Sequence, residues 1–221
     1  MLRPLPDEVS IGGELAGEEI SREQWAQVVE KASASVFKVQ VLDCEGQVLG
    51  SGTGFQLANW VITNRHVVEG AEKIELLGPK GGVSGVDSWA YLDAPDVALL
   101  QVEPAARSLP VLDVFPGYST PGDVVAAIGH PLGGDLKIRT GRVTSAVLED
   151  EITEETAKNP LSFSIIIQPG DSGGPVVNSK GEVIGVSTAI ALREDRAIAV
   201  PAAELLDLLA MANELNFDSG C

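Results

Sequence analysis

From Val36 onward the chain is a succession of short apolar runs, each cut off by Gly, Pro, Asn or Asp. Runs of this length, rich in β-branched residues and bounded by turn formers, read as β-strands and leave little room for long helices. SVFKVQVLD and VLGSGTGFQL flank a turn at Asp43–Gly46 and predict a hairpin; WVITN predicts a short buried strand, and KIELL, WAYLD and DVALLQV continue the series. Beyond a connection at Pro104–Gly122, a second series follows: DVVAAIG, IRTGRVTSAVLE, SFSIIIQ, PVVN, VIGVSTAIA and AIAV, with a turn in NSKG at 178–181. About six runs on either side of one longer connection predict an all-β fold of two six-stranded antiparallel Greek-key barrels, over 35–115 and 116–201.

Helices are expected only at the margins. Residues 1–19 read as an irregular acidic arm. The segment 20–34 reads as a helix: Ser21 and Gln24 have the spacing of a capping box, and Ile20 can staple onto Trp25. The segment 202–216 reads as an amphipathic C-terminal helix, with Leu205, Leu208, Leu209 and Ala212 on one stripe. A chain of 221 residues is long enough to bury a substantial core as one unit.

The formal net charge of −17 argues against nucleic acid as a partner, because phosphate binding needs clustered Lys and Arg. It fits a solvated surface, or a field that attracts basic substrates. No stretch approaches the ~20 apolar residues of a spanning helix, so no membrane contact is expected. MLRPLPDEVS has no basic region followed by an apolar run, which predicts a cytoplasmic protein unless a leader has been removed. Cys44 and Cys221 show neither a disulfide framework nor metal-ligand spacing and read as two ordinary thiols.

The string PGDSGGPVV at 169–177 carries the most chemical information. A serine hydroxyl is a weak nucleophile until a base takes its proton, and attack on a carbonyl needs donors for the developing oxyanion. Ser172 is the candidate nucleophile. The backbone amides of Gly170 and Ser172, in a turn of small residues, are the candidate oxyanion donors. Of the two histidines, His66 follows a buried strand and is the candidate base. His130, in the loop IGHPLGG, reads as a residue bonding its loop neighbours. The base needs a carboxylate to orient it. Asp96, directly before the buried run VALLQV, is preferred over Asp87 and Asp93.

Together these strings resemble the trypsin-like serine peptidases, whose nucleophile, base and carboxylate run in the chain order His, Asp, Ser. The closer resemblance is to the HtrA/Deg-type proteases, carried by GSGTGFQL, WVITNRHVV, DVALLQV, AAIGHPLG and QPGDSGGPVVNSKGEVIGVSTA. It implies a double barrel, endopeptidase activity on protein or peptide substrates, no cofactor and no metal, and it leaves oligomerisation open. It also implies a primary specificity pocket with Ile166 at its floor and Ser187, Thr188 and Ala189 on the opposite wall. These are not acidic residues, so a preference for small aliphatic residues before the scissile bond is expected.

Three features depart from the family pattern. Asp171 precedes the serine where HtrA/Deg proteases usually carry Asn, and His130 stands where Asn is common. About 20 residues follow Pro201, too few for the PDZ domain usual after such a protease. A buried Asp171 needs a cationic or hydrogen-bonding partner. The resemblance to trypsin-like enzymes implies either a new N-terminus released by cleavage after Ser10 in SIGG at 10–13 or, as in secreted bacterial relatives, an internal arginine (Arg139 or Arg142), and the arginine is preferred. A latent or non-catalytic peptide-binding module is the alternative function, and a disordered Pro169–Asp171 turn would mark the latent form.

Overall fold

Strands arise where short β-branched runs meet turn residues, twelve of them among the described residues. The computed structural model describes residues 21–79, 81–102, 110–144, 156–157, 159–191 and 196–221. The expected acidic arm and the Ile20 staple lie outside the described residues.

The first barrel contains β1 (Val36–Leu42), β2 (Val48–Leu57), β3 (Trp60–Thr63), β4 (Lys73–Leu77), β5 (Val83–Tyr91) and β6 (Ala98–Val102). They close in the order β1-β2-β3-β6-β5-β4, sealed by β1 against β4. The turn between β1 and β2 forms as predicted: Gly46 takes φ +86° and its N–H reaches the Asp43 carbonyl, a conformation open to glycine because it has no Cβ. Phe37, Val39, Val61, Ile74, Leu76 and Leu100 fill the interior.

The second sheet contains β7 (Val124–Gly129), β8 (Lys137–Arg142), β9 (Leu161–Phe163), β10 (Pro175–Asn178), β11 (Val183–Ala191) and β12 (Arg196–Pro201). Its order is β8-β7-β10-β11-β12-β9. The outer strands meet again where Ser164 N–H donates to Arg142 O at 2.9 Å and Thr144 N–H donates to Ser162 O at 2.8 Å. These bonds curl the sheet back on itself. The fold is thus the expected all-β pair of six-stranded antiparallel barrels.

An apolar seam joins the two halves: Leu57, Ile62 and Leu99 of the first pack in one cluster with Ala126, Ile128, Val177 and Val186 of the second. Helix α1 (Arg22–Ser33) lays Trp25, Val28, Val29 and Ala32 on this cluster. Its capping box forms as read, with Gln24 N–H donating to Ser21 Oγ and Ser21 N–H to Gln24 Oε1. A one-turn helix, α2 (Arg65–Val68), follows β3. Helix α3 (Ala202–Ala210) buries Leu205 and Leu208 in the seam and stops earlier than expected, followed by a 3-10 turn at Ala212–Glu214.

From there the chain crosses to the first barrel. Phe217 stacks on Trp60 with ring centroids 5.2 Å apart, and Asp218 pairs with Trp89 through both backbone groups. Cys221 forms a disulfide with Cys44, with Cα atoms 5.9 Å apart. This corrects the reading of two ordinary thiols. The sequence separation of 177 hid the pair, because only the returning tail brings the two sulfurs together.

Candidate active site

Each half of the molecule delivers part of the site to the seam. β3 ends at Thr63, and the turn into α2 carries His66 out of the sheet with its side chain 45% exposed. Asp96 sits just ahead of β6 and is buried. Its Oδ2 lies 2.8 Å from His66 Nδ1, and its Oδ1 accepts the His66 backbone N–H at 3.0 Å. A second donor, Thr188 Oγ1 on β11, makes a short hydrogen bond to the same Oδ2. Asn64 Nδ2 holds the Asp96 backbone carbonyl at 2.7 Å.

Burial alone would raise the Asp96 pKa. The His66 hydrogen bond and charge, with the Thr188 hydroxyl, outweigh it and hold the carboxyl below its ordinary value. An ionised Asp96 only accepts hydrogen bonds, so the Nδ1 of His66 is the donor, and in a neutral imidazole with that tautomer the acceptor lone pair is on Nε2. Neither rival aspartate takes this place. Asp93 offers its backbone carbonyl to Arg65 at 2.6 Å, and Asp87 is exposed on β5.

Ser172 follows a tight turn from Gln168 to Asp171. Asp171 N–H closes the turn on Gln168 O at 2.9 Å, with Gly170 at φ +96°. The Pro169 carbonyl accepts from Leu132 N–H at 2.6 Å. Because the peptide is planar and trans, its other end, the Gly170 N–H, points away from Leu132. A Cβ at Gly170 would lie 2.4 Å from the His130 carbonyl, so only glycine fits. At Gly173, with φ +86°, a Cβ would lie 2.2 Å from the Thr53 carbonyl. The Ser172 hydroxyl makes a long contact, 3.4 Å, with the Thr188 carbonyl. Catalytic hydrogen bonds commonly tighten only when substrate is bound, and rotation about χ1 would redirect the hydroxyl.

Asp171 is buried, and its Oδ2 accepts from Arg139 NH1 at 2.7 Å and from the Gln168 N–H at 2.7 Å. Of the two arginines considered, Arg139 thus pairs with it. Arg142 NH1 instead donates to the Gly122 carbonyl at 2.6 Å. The His130 ring bonds the Gly134 carbonyl at 3.0 Å, the loop-neighbour role expected of it.

The residues expected around the specificity pocket differ in burial. Ser187 and Thr188 are buried beside the Gln168–Asp171 turn, with Gly173 N–H on Ser187 O and Ser187 N–H on Gly174 O, both at 2.8 Å. Ala189 continues β11, paired with Ile198. Ile166 is 60% exposed between the buried Ile165 and Ile167. Thr188 was read only as pocket wall, yet its hydroxyl reaches Asp96, and nothing in STA announces that bond.

Among the described residues no His, Cys, Asp and Glu come together in a group that could hold a metal ion, and none of their helices is long and apolar enough to cross a membrane.

A family model described as a trypsin-like peptidase domain matches residues 44–186. The chain belongs to that family. Two relatives refine the likeness of this trypsin-like peptidase. HhoB of Synechocystis sp., named as a serine protease, is 39% identical over 154 residues, covering 64% of this chain and 35% of that protein. A Pseudomonas putida protein named as a DegP-like periplasmic serine endoprotease is 32% identical over 181 residues, covering 79% of this chain and 36% of that protein. The trypsin-like peptidase described here therefore spans about a third of the length of these relatives. Among solved structures, a serine endoprotease from Yersinia pestis superimposes with a TM-score of 0.70 at 27% identity, over 84% of this chain and 65% of that one. The likeness to the HtrA/Deg group holds. The cytoplasmic expectation does not: relatives such as the Pseudomonas protein are named periplasmic.

Proposed function

We propose that the chain is a serine endopeptidase in which Ser172 is the nucleophile, His66 the general base and Asp96 the residue that orients and stabilises the imidazolium. The observation that carries this reading is that Thr188 touches both ends of the set: its hydroxyl bonds Asp96, which holds His66 Nδ1, and its carbonyl contacts the Ser172 hydroxyl. Ser172 attacks a peptide carbonyl as His66 takes its proton. The oxyanion accepts from the Gly170 and Ser172 amides, His66 returns the proton to the leaving amine, and water then hydrolyses the acyl-enzyme. Each oxyanion donor is worth roughly 10²–10³ in rate.

The Arg139–Asp171 pair supports an enzyme that holds its nucleophile turn without proteolytic activation, since Asp171 already has a cation. A preference for small aliphatic residues before the scissile bond belongs to the same reading, supported by the lack of an acidic side chain at Ile166, Ser187, Thr188 and Ala189. Export to an oxidising compartment is supported by the Cys44–Cys221 disulfide, since such bonds persist outside the reducing cytosol.

Labelling with a fluorophosphonate probe tests the proposal. Wild type is expected to label, and Ser172→Ala and His66→Ala to lose the signal while remaining folded. A folded wild type that does not label would refute it.

A further inference from the structure

We infer that the Thr53 hydroxyl is a positioning residue for the oxyanion turn, acting from the opposite barrel on the peptide that follows Gly170. The inference rests on the serine-peptidase reading above. Thr53 lies in β2 of the first barrel and is fully buried. Its Oγ1 accepts the His130 N–H at 2.9 Å and lies 2.6 Å from the Gly170 carbonyl. An amide N–H can only donate and a carbonyl can only accept, so the single hydroxyl proton points to Gly170 O. The Thr53 backbone is engaged as well. Its N–H donates to the Ser172 carbonyl at 2.8 Å, and its carbonyl accepts from Thr63 Oγ1 at 2.7 Å.

Gly170 needs such external support. It has no side chain to resist rotation, and its φ of +96° lies where glycine moves freely. The peptide before it is fixed by Leu132 N–H on Pro169 O. The peptide after it is fixed by Asp171 N–H on Gln168 O and by Thr53 Oγ1 on Gly170 O. Without the hydroxyl, the Gly170 carbonyl and the His130 N–H would both be buried and unpaired, and the peptide would rotate to find another donor. That rotation acts through the Gly170 Cα on the preceding peptide, loading the Leu132–Pro169 bond and shifting the aim of the Gly170 N–H at the point where the oxyanion forms. The γ-methyl restricts χ1 and keeps the hydroxyl aimed.

Three variants test this by the kinetics of fluorophosphonate labelling: Thr53→Val removes the hydroxyl at nearly constant volume, and Thr53→Ser and Thr53→Ala differ from each other only in the hydroxyl. In Thr53→Val and Thr53→Ala the limiting labelling rate is expected to fall about tenfold to a hundredfold, as for a misplacement of about 1 Å. The concentration for half-maximal labelling should change little, and Thr53→Ser should keep most of the rate. The backbone amide resonances of Gly170 and His130 should move in the hydroxyl-free variants and stay near wild type in Thr53→Ser. A full labelling rate in Thr53→Val, or equal losses in Thr53→Ser and Thr53→Ala, would overturn the inference, as would an unmoved Gly170 resonance. If wild type itself does not label, the peptidase reading fails, while the Gly170 resonance still decides whether Thr53 anchors the turn.

Discussion

Asp171 and Arg139 make the residue-scale case that one ion pair holds the nucleophile turn. Asp171 is almost wholly enclosed, with a side chain 4% exposed against 24% for Arg139. Removing the guanidinium leaves a buried carboxylate supported only by the Gln168 N–H, a loss of about 3 kcal/mol by the usual cost of breaking a buried pair. Arg139→Met is therefore expected to lower unfolding stability by about that amount in urea melts and to reduce fluorophosphonate labelling. His130 gives a pH prediction. Burial pushes its imidazole below the ordinary value, helped by Lys38 and opposed by the Gly134 hydrogen bond and by Asp171 and Asp135. The unfolded chain thus takes up this proton first as pH falls. The stability linked to His130 is complete above about pH 6.5 and is lost as pH falls through the lower folded value. Melts of wild type and His130→Asn across that range should differ in slope, with the variant flatter on the acid side.

At this scale the pairing of His66 with Asp96 and of Arg139 with Asp171 was legible, because each partner was demanded by its neighbour's chemistry. The clasp of Thr188 on Asp96 was not legible, nor was that of Thr53 on Gly170. Both bonds join residues far apart in the chain, 92 and 117 positions, and depend on how two barrels meet.

The elements were largely readable from run length and turn residues, and the departures share one cause: tertiary pairing overrides local propensity. β5 begins at Val83, although VSGVDS contains Gly and Asp, because β4 and β6 pair along that stretch. SFSIIIQ was expected to be one strand, yet β9 ends at Phe163, and Ile165–Gln168 leave the ladder to lead into the nucleophile turn. α3 ends at Ala210 because the following residues turn toward the first barrel. Helix α1 behaves as its sequence predicts, and its cap offers a clean measurement. Ser21→Ala removes the bond to the Gln24 amide and is expected to cost about 1 kcal/mol, or roughly 2–4 °C in Tm. Labelling should be unaffected, since Ser21 bonds within its own cap to Gln24.

For the whole molecule, the tail from Leu215 to Cys221 does what neither barrel does alone: it starts on the second half and ends covalently on the first. Linking residues 177 apart removes much of the freedom of the unfolded chain, worth about 5 kcal/mol on chain-entropy grounds. Reduction, or Cys44→Ser, is expected to lower Tm by about 10 °C or more, seen by thermal melts with and without reductant. The Cys44–Cys221 bond also closes residues 44–221 into a single covalent ring. A backbone cut in any loop inside that ring opens it without releasing a fragment, so a molecule nicked by a copy of itself keeps both halves of its site tethered in one piece.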